Sequence, residues 1–134
     1  MKTSATLLLG LLLALLPLLA AGCSDRTAAK STADTYTVRA RVRQVPARGS
    51  GSFYLEHEAI DDWKGRSGKV EGMSSMTMPF PLAEDLSLEG IEPEDVVEVR
   101  LEVDWEADLP VEITEIRELP RDTRLEFRAA RPKP

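Results

Sequence analysis

An all-β domain, a small five-stranded barrel that is closed or nearly closed, is the fold class that residues 35–119 of this 134-residue chain predict. Three observations predict it: apolar residues recur with period two, turn-forming residues separate the runs, and no apolar stripe of helical period reaches useful length. The first run places Tyr36, Val38, Ala40 and Val42 on one face and Thr37, Arg39, Arg41 and Arg43 on the other. In the second, Phe53, Leu55 and His57 share a face. The third is short, with Met76 and Met78 on one side around Thr77. The fourth carries Val97, Val99, Leu101, Val103 and Trp105 in phase. Val111 and Ile113 open a fifth, whose alternation slips before Ile116 and Leu119, and a bulge near Thr114 accounts for the slip. Gly, Pro and Asp cluster at 46–51, 65–72, 79–90 and 108–110, with room for one turn or short helix in 82–91. Five short strands with one apolar face each leave exposed edges in an open sheet, and closure hides them.

The flanks read differently. Residues 1–22 form a secretory signal: Lys2, then an uncharged Leu-rich run from 5 to 21, then small residues. Leu19-Ala20-Ala21-Gly22-Cys23 resembles the lipobox of bacterial lipoproteins, which implies that Cys23 becomes the acylated first residue of the mature chain. Ser24 rather than Asp follows it, which by resemblance to Gram-negative sorting implies the periplasmic side of the outer membrane. Residues 23–34 then serve as lipidated Cys and flexible tether, being small and polar. Residues 120–134 form a polar, Arg-rich C-terminal tail. It is aperiodic apart from Leu125 and Phe127, and is expected to be loosely ordered with at most a short docked turn.

Composition excludes several function classes. One Cys allows no internal disulfide and no multi-Cys zinc site, and one His allows no multi-His catalytic metal centre within a single chain. A net charge of −6 argues against nucleic acid as partner. No second His and no nucleophile–base pair is visible, so an enzyme is not expected.

One cluster carries chemistry. Of four Met, three lie within six residues: Met73, Met76 and Met78. On a strand, Met76 and Met78 point to the same side with Cα atoms roughly 6.5–7 Å apart, close enough for two thioethers to converge. Met73 lies just before the strand and can swing in from the loop. His57 ends the preceding strand, and barrel closure brings strand ends together. Thioether sulfur is soft and carries no proton at neutral pH, and imidazole adds one borderline donor. This set suits Cu(I), with Ag(I) alike, and unlike a Cys pair it does not oxidise to a disulfide outside the cytoplasm. The alternative is that the Met residues fill gaps in the core and His57 is a hydrogen-bonded structural group.

His57-Glu58-Ala59-Ile60 together with Met76-Thr77-Met78-Pro79-Phe80 resembles the CusF-like family of periplasmic copper- and silver-binding domains. The resemblance spans roughly residues 36–119. It implies an OB-type five-stranded barrel binding Cu(I) or Ag(I) through His57, Met76 and Met78. The best-known members carry a capping Trp three residues before the first motif Met; here that position is Met73, as in some members with a Sco-type association. Met73 is then either a third thioether ligand or a shield. The loop from 64 to 72 is lengthened, and Trp63 at its start either folds over the metal as a cap or anchors the loop. Glu58, Asp61 and Asp62 flank the site, either as a charged rim that attracts cations by its field or, the preferred reading, as ordinary solvated loop. The Arg39, Arg41 and Arg43 row reads as an outward face balanced by Glu98 and Glu102.

The expected function is a monomeric, membrane-tethered metallochaperone that takes up Cu(I) outside the cytoplasm. It exchanges the ion with a copper-donor or copper-acceptor protein, either an efflux component or an oxidase assembly factor. A metal-free OB-type module for an oligosaccharide or peptide is the contrasting class, and few aromatics (5%) count against it. A structural envelope lipoprotein is a third, which leaves the Met cluster without a rationale.

Overall fold

A computed structural model of the chain describes residues 33–47 and 52–133. The signal segment, Cys23 and nearly all of the tether lie outside the described residues.

Strands β1 (Asp34–Gln44), β2 (Phe53–His57), β3 (Met76–Phe80), β4 (Val96–Val103) and β5 (Val111–Glu118) form one antiparallel sheet in the order β3-β2-β1-β4-β5. No helix occurs among the described residues, and 82–91 is a run of turns. The long β1 is the spine. Its first part pairs with β4 from Asp34↔Val103 to Arg41↔Val96, and its last part with β2 from Ala40↔His57 to Gln44↔Tyr54. A register shift between Val42 and Gln44 lets one strand serve both sides of the curl. Between β4 and β5 the register shifts where Arg100 faces Glu115 and Leu101 faces Ile113. Thr114 is therefore the extra residue, the slip that the sequence pattern shows.

The sheet does not close as a continuous ladder. The seam is one parallel bridge, Leu82↔Ile113, where the chain leaving β3 meets β5. The Ala83 N–H donates to the Ile113 carbonyl (2.9 Å) and the Ile113 N–H to the Pro81 carbonyl (2.9 Å). This is the strand order of an OB-type fold with an open seam. Pro79 sits inside β3, opposite Tyr54. It is tolerated because β3 is an edge strand, where a missing N–H breaks no ladder bond on the outer side.

The inward positions of the five runs form the core. Val38, Ala40, Val42, Phe53, Leu55, Val97, Val99, Leu101, Val103 and Ile113 are all buried in one cluster. Trp105 lies past the end of β4, partly buried against that cluster. Outside, charge pairs cover the sheet, with partners other than those expected. Arg39 stands opposite Glu98 in register, yet its guanidinium grips both carboxylate oxygens of Glu58 (2.8 and 2.9 Å). Arg43 bonds Glu56 and Glu94, and Glu98 receives Arg117 instead. Arg side chains are long enough to reach past the directly opposed residue to the better-oriented carboxylate.

Candidate metal centre

The β2–β3 hairpin positions the site. Its ladder runs Phe53↔Phe80, Leu55↔Met78, His57↔Met76, so all six side chains belong to one face. At one end of that face Phe53 and Phe80 are sealed in the core. At the other, His57 (0% exposed) lies directly across from Met76 (48% exposed), with Met78 partly buried one step inward. Opposed residues in an antiparallel pair have Cβ atoms roughly 4.5–5.5 Å apart. The structure thus brings His57, Met76 and Met78 to one mouth of the barrel.

Met73 reaches the same side by a break in both strands. Glu58-Ala59 and Ser74-Ser75 leave the ladder in step, after which Ile60 and Met73 pair again in unchanged register. Each donates its N–H to the other's carbonyl (both 2.8 Å). Three residues along an unbroken strand would turn Met73 to the opposite face from Met76. The break returns it inward, and Met73 is partly buried against the core cluster, beside buried Ile60.

The imidazole is held in one orientation. His57 Nδ1 lies 2.7 Å from the carbonyl oxygen of Glu58. A carbonyl only accepts, so Nδ1 carries the proton and the lone pair of the neutral ring sits on Nε2. Nε2 is buried and makes no hydrogen bond. Burial pushes the imidazole pKa below its ordinary 6.5, and the bond to Glu58 opposes this only in part, so the ring is neutral at pH 7. Phe80 meets the ring edge-on at 5.9 Å, limiting its rotation. A buried, unprotonated nitrogen without a partner is normally costly, about 1–3 kcal/mol. Here it is oriented by a backbone carbonyl behind it, the arrangement that metal-binding imidazoles use. Among the described residues no three His, Cys, Asp or Glu converge, and the side chains across the ladder from His57 and one step inward are the thioethers of Met76 and Met78. That set fits a soft monovalent ion.

Trp63 is 6% exposed and packed on Tyr36 (centroids 4.9 Å) and edge-on to Trp105 (6.1 Å). This packing supports the loop-anchor reading of the two that its position allows. The lengthened loop folds on itself through Lys64↔Val70, and Glu71 and Gly72 both donate to the Trp63 carbonyl (2.9 and 3.1 Å).

Glu58 and Asp61 are not the ordinary solvated loop expected of them. Glu58 holds Arg39 and accepts the Glu126 N–H (2.6 Å). Asp61 receives two nitrogens of Arg128 (2.8 and 2.9 Å) and the Arg131 N–H (2.8 Å). The tail that sequence leaves loosely ordered is docked, without regular secondary structure, beside the strand ends that carry His57 and Met76. Its alternation is too weak to announce this; the one available signal was the concentration of Arg in the tail opposite the acidic 58–62 segment.

An OB-type sheet with one imidazole and neighbouring thioethers at its mouth defines a soft-metal-binding domain. The family model described as copper binding periplasmic protein CusF matches residues 35–118, and the chain belongs to that family. No curated protein and no solved structure matches the chain. The family is periplasmic, binds Cu(I) and Ag(I), and is a metal-binding, chaperone-type domain rather than an enzyme.

Proposed function

We propose that this chain is a lipid-tethered metallochaperone that holds one Cu(I), or Ag(I), at His57 Nε2 and the sulfurs of Met76 and Met78, with Met73 as third thioether. The observation that carries this reading is the buried, partnerless imidazole nitrogen directly across the ladder from a thioether. Neutral soft donors at a half-exposed rim favour transfer of the ion over permanent storage. An efflux component is the recipient we favour, giving copper or silver resistance; an oxidase assembly factor is the alternative recipient. Membership of a periplasmic family supports the signal at 1–22, and the lipobox-like run supports acylation of Cys23 and a position on the outer membrane.

Titration of the full chain in detergent with Cu(I) against a competing chelator tests the site. One ion is expected per chain. Met76→Leu and Met78→Leu are each expected to weaken binding by about a hundredfold or more, since a thioether ligand is lost at nearly constant volume. Unchanged affinity in both variants removes the site. A large loss in Met73→Leu makes Met73 a ligand; a small one leaves it a shield.

A further inference from the structure

We propose that the C-terminal segment 121–133 is a strap that sets the geometry of the metal edge, and that Arg128, gripping Asp61, is its positioning residue. This rests on the His–Met site proposed above.

The strap lies beyond the family match, which ends at residue 118. It meets the barrel at the break in the β2–β3 ladder. The Ser75 N–H donates to the Arg128 carbonyl (2.9 Å), and the Arg128 N–H donates back to Ser75 Oγ (3.0 Å). The Ala130 N–H donates to Ser74 Oγ (3.0 Å). Ser74 and Ser75 are the two residues that separate Met73 from Met76. Across the break, the Glu126 N–H binds Glu58, whose own carbonyl orients His57. The Arg128 guanidinium takes both oxygens of Asp61, one residue past Ile60, the partner of Met73. One segment thus ties the imidazole side of the site to the thioether side.

Two further features bear on the strap. Gly72 has φ +70°, and a Cβ there would come within 2.8 Å of Ala130 Cβ; the strap needs that glycine. At its start, Arg121 meets the buried Asp95 (3.0 Å). The consequence is physical. The break sets whether Met73 faces the same side as Met76 and Met78. Strap bonds that hold the break before the ion arrives spare metal binding the entropy of ordering three flexible side chains and their loop.

The test is Cu(I) affinity and Cu(I) release to a chelator, measured on the full chain in detergent. Arg128→Ala and Asp61→Asn are each expected to weaken binding about tenfold, the usual effect of losing a group that orients metal ligands, and to speed release. The thermal midpoint of the metal-free chain is expected to move little, and the Met73 methyl resonance to shift and broaden while that of Met78 stays. Arg128→Lys, which keeps the charge and loses the two-point grip, is expected to recover only part of the affinity. Should either point variant misfold, Ser74→Ala, which removes only the bond from the Ala130 N–H, is read in the same way. Unchanged affinity and release overturn the strap, as does a loss that merely tracks a fall in the thermal midpoint. Failure of the parent chain to bind Cu(I) overturns the site and the strap together; binding that depends on Met76 and not on Arg128 overturns the strap alone.

Discussion

The two ends of the β2–β3 hairpin share one ladder and one face, yet they do opposite things. At the Phe53↔Phe80 end every side chain is apolar and sealed, and the pair contributes cohesion. At the His57↔Met76 end a buried nitrogen has no partner and a large apolar side chain stands half in solvent. Packing alone would favour Leu at both rim positions. The difference teaches that local stability has been left unrealised at the rim, the place where the proposed ion would supply the missing partner.

The comparison breaks most visibly under mutation of the sealed end. Phe53→Ala is expected to destabilise the domain by about 3–5 kcal/mol, because it empties a fully buried aromatic site. His57→Leu is expected to change stability by only about 1 kcal/mol in either direction, losing one hydrogen bond and one orphan nitrogen together. Denaturant melts of the metal-free chain decide this. If the two variants fall equally, the rim is core like the rest.

A smaller effect follows from pH. The folded pKa of His57 lies below the ordinary 6.5 because burial disfavours the cation. The unfolded chain therefore takes up the proton first. Stability is fully present above pH 6.5 and declines as the pH falls below it. Thermal midpoints of the metal-free chain at pH 7.5 and 5 are expected to show the drop, and His57→Leu to remove it. A drop that persists in His57→Leu assigns it elsewhere.

The smallest effect sharpens the comparison at the strap. The Arg128 guanidinium holds the Asp61 carboxyl at about 2, below its ordinary 3.8. A lowered folded pKa gives a contribution that is present above 3.8 and lost as the pH falls through about 2. Protection of the strap is therefore expected to hold from neutral pH to about 4 and to weaken as the pH falls toward about 2. Amide exchange at Ser75 and Arg128 reads this directly. Release between pH 7 and 5 would show that Asp61 is not the anchor.

Much of the architecture is legible in the sequence. Period-two alternation marked the buried faces of β1, β2 and β4, and the slip at Thr114 showed itself because one extra residue inverts the pattern. The motif His57…Met76-Thr77-Met78 was legible because parity along β2 and β3 settles the side its members face. Other features were not. Parity puts Met73 on the wrong side, and only the paired breaks at 58–59 and 74–75 correct it. The tail partners of Glu58 and Asp61, Glu126 and Arg128, lie 68 and 67 residues away, so no local pattern connects them.

By itself the sequence determined the strands, their inward faces, the bulge and the choice of soft donors, because side-chain alternation and ligand chemistry are local properties. Tertiary structure alone decided that Nε2 rather than Nδ1 is the free nitrogen, that Trp63 packs on Tyr36 and Trp105, and that the tail crosses the break beside Met73. Each of those depends on a carbonyl, a ring or a guanidinium delivered from elsewhere in the chain or by the local bend of the backbone, and such encounters are set by the closing of the sheet.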